Sequence, residues 1–296
     1  MNMDIFLQLI SSGFLVGGIY ALIALGFVLI YKATNIINFA TGEFMMIGAY
    51  IFYSLMVYLK LSPFVGFPLV IVCAALLGTL VERLILRHML GQPNISIIMV
   101  TIGLSSILLG VAEMIWGSSF RSFPPLFPRK PILLGEIVLR SNLFYGFLMA
   151  MAVVVIFLIL FKYAKVGVAM RATANDQMAA FSMGINVKTM FTISWAFGAI
   201  AASMGGIIIG NIGGVQPTLG HIGLKIFPIV ILGGLDSIIG AVIGGFIVGI
   251  VENLAGGYLD PYFHGGVKDL APFIVLLFIL LIKPYGLFGT KEIERL

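Results

Sequence analysis

Apolar runs long enough to cross a bilayer alternate along this chain with short polar interruptions. A hydrocarbon core about 30 Å thick needs about 20 apolar residues in a helix. Residues 5–31 meet that need, and Gly13, Gly17, Gly18 and Gly26 within them let neighbouring helices approach closely. Lys32 ends the run. The semi-polar stretch 33–43 then leads directly into a second apolar run at 44–59. Polar backbone at membrane depth predicts a broken or re-entrant segment, which is tolerated only where protein or a water-filled cavity satisfies the freed groups. Further spans are predicted at 63–86, 94–117, 142–162 and 189–211, the fifth span being uninterrupted and facing lipid. Glu82, Arg83, Arg87 and His88 make an interfacial cluster at the end of the third. Pro124, Pro125, Pro128 and Pro131 mark 118–140 as an external loop.

Beyond residue 212 the pattern divides. Residues 225–234 are apolar but short, and Gly233-Gly-Leu-Asp-Ser237 breaks any helix through them. A glycine-rich run at 238–251 follows, then a last span at 270–283 and a short polar tail. If 225–251 is one span there are eight crossings; if 225–234 is a separate short crossing or half-helix there are nine. With the 165–188 loop fixed in the cytoplasm, eight crossings leave 8 Lys and Arg inside against 9 outside, and nine leave 10 against 7. The positive-inside rule favours nine. A short internal echo fits broken helices: Gly42-Glu43 before Gly48-Ala49, and Gly234-Leu-Asp236 before Gly240-Ala241, each place a breaker and an acid ahead of a small-residue helix start.

Composition narrows the classes. Of 296 residues 60% are hydrophobic and 10% charged, against about 25% charged in a soluble domain. The net charge of +5 comes from basic residues scattered singly at the ends of apolar runs, a pattern that anchors helices and does not bind nucleic acid. Cys73 is the only cysteine, so no intrachain disulfide forms. The start lacks a basic region and a small-residue cleavage pattern, so the first run is expected to be retained. No phosphate loop G-x-x-x-x-G-K-[ST] is present, and His88, His221 and His264 are too scattered for a metal pair. Ser105 and Ser106 lack a nucleophile elbow.

The acids at membrane depth carry more. An ionisable group there costs about 2.5–3.5 kcal/mol on insertion scales and faces a cavity or a partner. Glu43 follows a helix breaker; it lines a path, pins the break, or caps the next helix, and Asp236 beside Ser237 has the same readings. Asn38 and Thr41 share the Glu43 stretch and are candidates for the same path.

The polar island Lys165–Lys188 stands between two long apolar runs. Its alanines favour helix and Gly184 stands where a helix ends, so a short surface helix with a tight turn is expected. Ala179, Ala180, three further residues and Gly184 resemble the core of the EAA loop of ABC-transporter permeases. The longer string from Arg171 through Asp176 to Gly184 and Ile185 resembles its version in branched-chain amino-acid permeases of the LivH type. Met178 replaces that motif's Glu and the apolar-Pro ending is absent, so a salt bridge from that Glu to an ATPase is not implied. Asn38-Phe-Ala-Thr-Gly-Glu43 resembles the family's Asn-Phe-Ala-His-Gly-Glu, with Thr41 in place of His. The Gly-Gly-x-x-Ser-x-x-Gly-Ala run at 233–241 and the Lys283-Pro-x-Gly-Leu-Phe-Gly289 ending extend the resemblance over nearly the whole chain.

The expected fold is an all-α polytopic membrane protein with 8–9 transmembrane segments, including broken or re-entrant helices and a cytoplasmic coupling helix, as one permease domain over 1–296 with its coupling loop at 163–188. The resemblance implies a non-catalytic permease subunit of an ABC importer for branched-chain amino acids in a bacterial inner membrane. It binds no cofactor of its own, since ATP is hydrolysed by partner subunits. The implied partners are a second, homologous permease, two cytoplasmic ABC ATPases and a periplasmic substrate-binding protein. Arg171, Asp176, Ala179, Ala180 and Gly184 are the expected coupling residues; Asn38, Thr41, Glu43 and Asp236 are the candidates for the path. A permease for urea or short amides would read similarly. An ion-coupled carrier using Glu43 or Asp236 needs no ATPase, and a membrane-embedded enzyme needs a clustered polar site that the sequence does not offer.

Overall fold

A computed structural model describes residues 3–89, 91–128, 130–135 and 137–290. Its elements are α1 (Met3–Thr34), α2 (Thr41–Tyr53) with a π-helical turn at Ser54–Tyr58, α3 (Pro63–Leu84), α4 (Asn94–Trp116), a hairpin of β1 (Ile132–Leu134) and β2 (Ile137–Leu139), α5 (Ser141–Tyr163), α6 (Lys165–Asn175), α7 (Gln177–Ser182), α8 (Val187–Gly213), a 3-10 turn at Pro217–His221, α9 (Ile222–Gly233), α10 (Ile238–Tyr258), the single turn α11 (Asp260–Phe263) and α12 (Val267–Ile282). Six helices among the described residues, α1, α3, α4, α5, α8 and α10, are long and apolar enough to cross a membrane.

α1 is the axis of the bundle. Its most apolar stretch is 89% buried, against 28% for α3, α4 and α5, so α1 is apolar all round because it is surrounded, while the other three form the rim. Small residues set how close α1 comes to its neighbours. Gly13 and Gly17 lie against the backbone of α10 at Gly249–Ile250 and Gly245–Phe246, and a Cβ at any of these glycines would strike main chain. The same contact joins Gly26 of α1 to Gly198 and Ala201 of α8. Without a hydrophobic driving force between helices in lipid, this close packing holds the bundle together.

Helices stand at every predicted span, but α2, α9 and α12, at 44–59, 225–234 and 270–283, are shorter than the six that are long enough to cross alone. The second is short and ends in the π turn. The 118–140 loop contains the β1–β2 hairpin, paired antiparallel with Leu133 opposite Val138, which the proline count did not suggest. Residues 225–234 belong to a separate helix: Gly233 meets Gly240 and Ile229 meets Gly244, so α9 and α10 form an antiparallel pair turning at 234–237. The two ends of the bundle follow from long-range contacts. Gln8 Nε2 donates to Val138 O at 2.6 Å, placing the start of α1 beside the 118–140 loop. Leu287 N–H donates to Leu232 O at 2.8 Å and Lys32 Nζ to Asp236 O at 3.0 Å, placing the tail and the end of α1 at the opposite end with the α9–α10 turn. Residues 3 and 290 therefore lie at opposite ends of the bundle, as any odd number of traverses requires.

Candidate functional site

After Thr34 the chain does not leave the bundle. Asn35 takes a left-handed conformation (φ 55) that ends α1 and that asparagine tolerates well, and residues 36–40 turn back inward. Several of their backbone groups find side-chain partners, as membrane depth favours. Asn38 Oδ1 accepts from Ala40 N–H at 3.0 Å, and Thr41 Oγ1 donates to Asn38 O at 2.9 Å. From α4, Thr101 Oγ1 donates to Ile37 O at 3.2 Å. Together they start α2 inside the protein, with Thr41 and Gly42 buried.

A second interrupted segment meets this start. Gly42 lies against the backbone of Gly220 and Gly223, in the 3-10 turn and first turn of α9. Only glycines on both sides allow that approach. Beside the seam lies Glu43, 8% exposed, whose Oε2 has no hydrogen-bond partner. Ser105, its own backbone N–H and His221 are the polar neighbours of its carboxylate. Asn38 is fully buried, and its Nδ2 is likewise unpartnered. Buried polar atoms are nearly always satisfied; these two, among eight unpartnered buried side-chain atoms in the described residues, flank the start of α2. Glu43 occupies the first turn of α2, where a carboxylate also favours the helix dipole; capping engages only part of the group.

Asp236 stands apart from this set. It sits in the α9–α10 turn at the other end of α9, its carboxylate accepting Thr290 N–H (3.3 Å) and Oγ1–H (2.5 Å) while its carbonyl holds Lys32. Ser237 caps α10, its Oγ accepting Gly240 N–H at 3.0 Å. The echoed motifs thus begin α2 within the bundle and α10 at its end.

The 165–188 stretch is two helices, where one was expected. Arg171 folds back on α5, donating to Phe161 O and, at 3.2 Å, to Lys162 O, with its guanidinium 5.4 Å from the Phe161 ring centroid. It ties α6 back to the end of α5. Asp176 caps α7, Oδ1 accepting Ala179 N–H at 2.9 Å. Ala180 is buried beneath α7 and Ala179 faces outward. Gly184 (φ 84) closes the helix: its N–H reaches Phe181 O at 2.9 Å and Ile185 N–H reaches Ala180 O at 3.0 Å, the left-handed stop that glycine favours. Met178, Phe181 and Met183 project from this knob at 80%, 71% and 83% exposure. Next to it a cleft of about 910 Å³ runs from Phe181, Gly184 and Lys188 to Gln92 and Asn94 of the α3–α4 corner.

The structure gives partners to one ionic cluster named from the sequence and reveals a second that escaped it. Glu82 is 2% exposed and is paired by Arg87 (Nη2 to Oε2, 2.9 Å) and Thr192 Oγ1 (2.7 Å), so it ties α3 to α8 and is not a free interfacial acid. Lys225 bridges Glu252 of α10 at 2.7 Å and Asp269 of α12 at 2.6 Å. Its three members are far apart in sequence; the only available signal was a lone Lys opening a short apolar run.

The profile of the family described as "Branched-chain amino acid transport system / permease component" matches residues 9–282. The chain is 31% identical to the high-affinity branched-chain amino acid transport system permease protein LivH of Escherichia coli K12, over 98% of this chain and 97% of that protein. It is 30% identical to the permease protein BraD of Pseudomonas aeruginosa, over 98% of each. The probable permease protein LivH of Methanocaldococcus jannaschii is 30% identical over 98% of this chain and 95% of its own length. Among solved structures, PsaBC from Streptococcus pneumoniae in complex with Fab aligns with 96% of this chain and 92% of its own at 15% identity and a TM-score of 0.46.

Proposed function

This chain belongs to the family of permease components of branched-chain amino acid transport systems, and from that premise we propose that its two interrupted segments form the path by which an ABC importer moves branched-chain amino acids inward. It is a multi-pass membrane transport subunit. The path runs past Asn38, Thr41 and Glu43, with Asp236 anchoring the tail at its inner edge. The observation that carries this is the seam itself: Gly42 against Gly220 and Gly223, beside the unpartnered Glu43 Oε2 and Asn38 Nδ2. Breaks in helices at membrane depth are where transporters bind and pass their cargo. An aliphatic amino acid needs a mostly apolar path with a few polar groups for its charged ends, which is what these residues offer.

Separate ATPases supply the energy. Two of them engage a pair of related permeases in a bacterial inner membrane, and a periplasmic protein delivers cargo to the outer face. The exposed Met178, Phe181 and Met183 seat α7 in an ATPase surface, and the Arg171 clamp on α5 makes α6–α7 a rigid lever. Asp176, Ala179, Ala180 and Gly184 give α7 its cap, its close outer face, its buried footing and its stop.

Purifying the tagged chain from native membranes in mild detergent, then assaying bound ATPase and leucine uptake after reconstitution, tests this. Gly184→Val is expected to insert normally, lose the ATPases and lose uptake. A purified chain that transports leucine without any ATPase would replace this reading with an ion-coupled carrier. Uptake of urea or short amides in preference to leucine would keep the path and change the cargo.

A further inference from the structure

At the outer end of the bundle, the first residues of the 118–140 segment thread between the ends of several elements, and Arg121 holds them there. Its backbone pairs both ways with Val215: Arg121 N–H reaches Val215 O at 3.0 Å, and Val215 N–H reaches Arg121 O at 2.7 Å. Its Nη1 donates to Tyr58 Oη at 2.8 Å, its Nη2 donates to Trp116 O, and its guanidinium lies 5.4 Å from the Tyr53 ring centroid. Tyr53 and Tyr58 bracket the π-helical end of α2, and Val215 immediately precedes the 3-10 turn into α9. One residue therefore joins the outer ends of the two interrupted segments. Trp116 adds a tie, donating Nε1–H to Ser54 Oγ at 2.7 Å and stacking on Tyr50 at 5.0 Å. Phe120 fills the space beside Gly214, and Phe123 packs on Gly210 and, ring to ring at 5.4 Å, on Phe52.

The geometry points to Arg121 as a latch. It closes the outer end of the path by pinning α2 and the approach to α9 to one strand of the external loop, and a cargo-delivering protein that engages this loop opens the path by drawing Arg121 away. The inference rests on the path assigned above to Asn38, Thr41 and Glu43. Every acceptor of the guanidinium is neutral, so the tyrosine hydroxyl and the Trp116 carbonyl can be rehydrated when it leaves; a buried carboxylate in their place would resist release. A π-helical turn is a common feature of functional sites and marks α2 as yielding where the latch grips it. Lysine has no planar fork and cannot make the same set of contacts.

The test uses the assembled transporter in native membranes. Cys73→Ser removes the only native thiol, Thr41→Cys places one on the path below the latch, and a membrane-impermeant thiol reagent is added from outside in the absence of cargo protein. Thr41 is 2% exposed, so labelling is expected to be slow in this parent. Adding Arg121→Gln is expected to speed it about tenfold or more, the equivalent of ~1.4 kcal/mol, which is just below the ~1.5–3 kcal/mol of one hydrogen bond to a charged group. Tyr58→Phe, which removes a single acceptor, is expected to give a smaller increase and decides the matter if Arg121→Gln fails to reach the membrane. Gln8→Ala loosens the same loop at its other attachment, where Val138 N–H donates to Gln8 Oε1 at 2.9 Å, and is expected to leave labelling unchanged. Unchanged labelling in both latch variants, or equal acceleration by Gln8→Ala, would overturn the latch. Labelling that accelerates as expected but leaves uptake intact would uphold the latch and set aside the path through Thr41.

Discussion

Replacing Lys225 tests whether an ion cluster positions the short helix α9. Its Nζ lies 2.7 Å from Glu252 Oε1 and 2.6 Å from Asp269 Oδ1, but the side chains of these acids are 1% and 71% exposed. The two ion pairs therefore differ in what their loss leaves behind. Lys225→Met strands Glu252, whose Oε2 already has no partner, as an uncompensated charge inside the bundle. Breaking a buried pair from one side costs ~3–5 kcal/mol, whereas an exposed pair contributes ~0–1 kcal/mol. At about 2–4 °C per kcal/mol, the single variant should lose roughly 6 °C or more in unfolding midpoint, and Asp269→Asn much less. Lys225→Met with Glu252→Leu removes both charges and should regain most of the loss, because an apolar pair of similar volume commonly matches or exceeds a buried ion pair. The midpoint is read by heating the solubilised protein and following the fraction that stays monodisperse, with uptake of the reconstituted complex measured in parallel. Since α9 carries Gly223 onto Gly42, uptake should fall and return with stability. A midpoint for Lys225→Met equal to that of Asp269→Asn, or a double variant less stable than the single, would refute the reasoning.

Two further outcomes follow from packing and capping. Gly48→Val drives a branched side chain into Ser203 where α2 crosses α8; overpacking of this kind costs ~1–3 kcal/mol, while Gly103→Ala, with open space around it, should leave the same melting curve unmoved. Asp176→Ala removes the cap on Ala179 N–H at a cost of ~1 kcal/mol; co-purified ATPase should drop with it and be largely kept in Asp176→Asn, whose side-chain oxygen caps as well.

The spans were legible because their cause is local. A run of about 20 apolar residues such as 142–162 reads as a helix in lipid, where only helices and closed barrels satisfy the backbone without water and a barrel strand needs about 10 residues alternating in polarity, and α5 at Ser141–Tyr163 follows from it. The break at 33–43 was legible for the converse reason, as polar residues mark where helix stops. The number of traverses lay at the edge of what charge counting resolves. Contacts between residues far apart in the chain, Gln8 with Val138 and Lys32 with Asp236, were needed to place the two ends. Glu43 and Asp236 looked equivalent in sequence, each an acid after a breaker; their depths differ because α2 begins inside the bundle and α10 at its end.

By itself, then, the sequence determined that this is a helical membrane protein, where its helices are interrupted, and that residues 165–188 form a helix-prone polar island with a glycine stop between two apolar runs. These properties depend on neighbours within a turn or a span. Only the tertiary structure decided that Gly42 meets Gly220 and Gly223, that Glu82, Arg87 and Thr192 form one cluster and Lys225, Glu252 and Asp269 another, and that Arg121 bonds both Tyr58 after α2 and Val215 before α9. The physical reason is that a glycine or a charge carries no sign of its partner until helices pack: whether it becomes a seam, a pair or a latch is set by which backbone comes to lie opposite it.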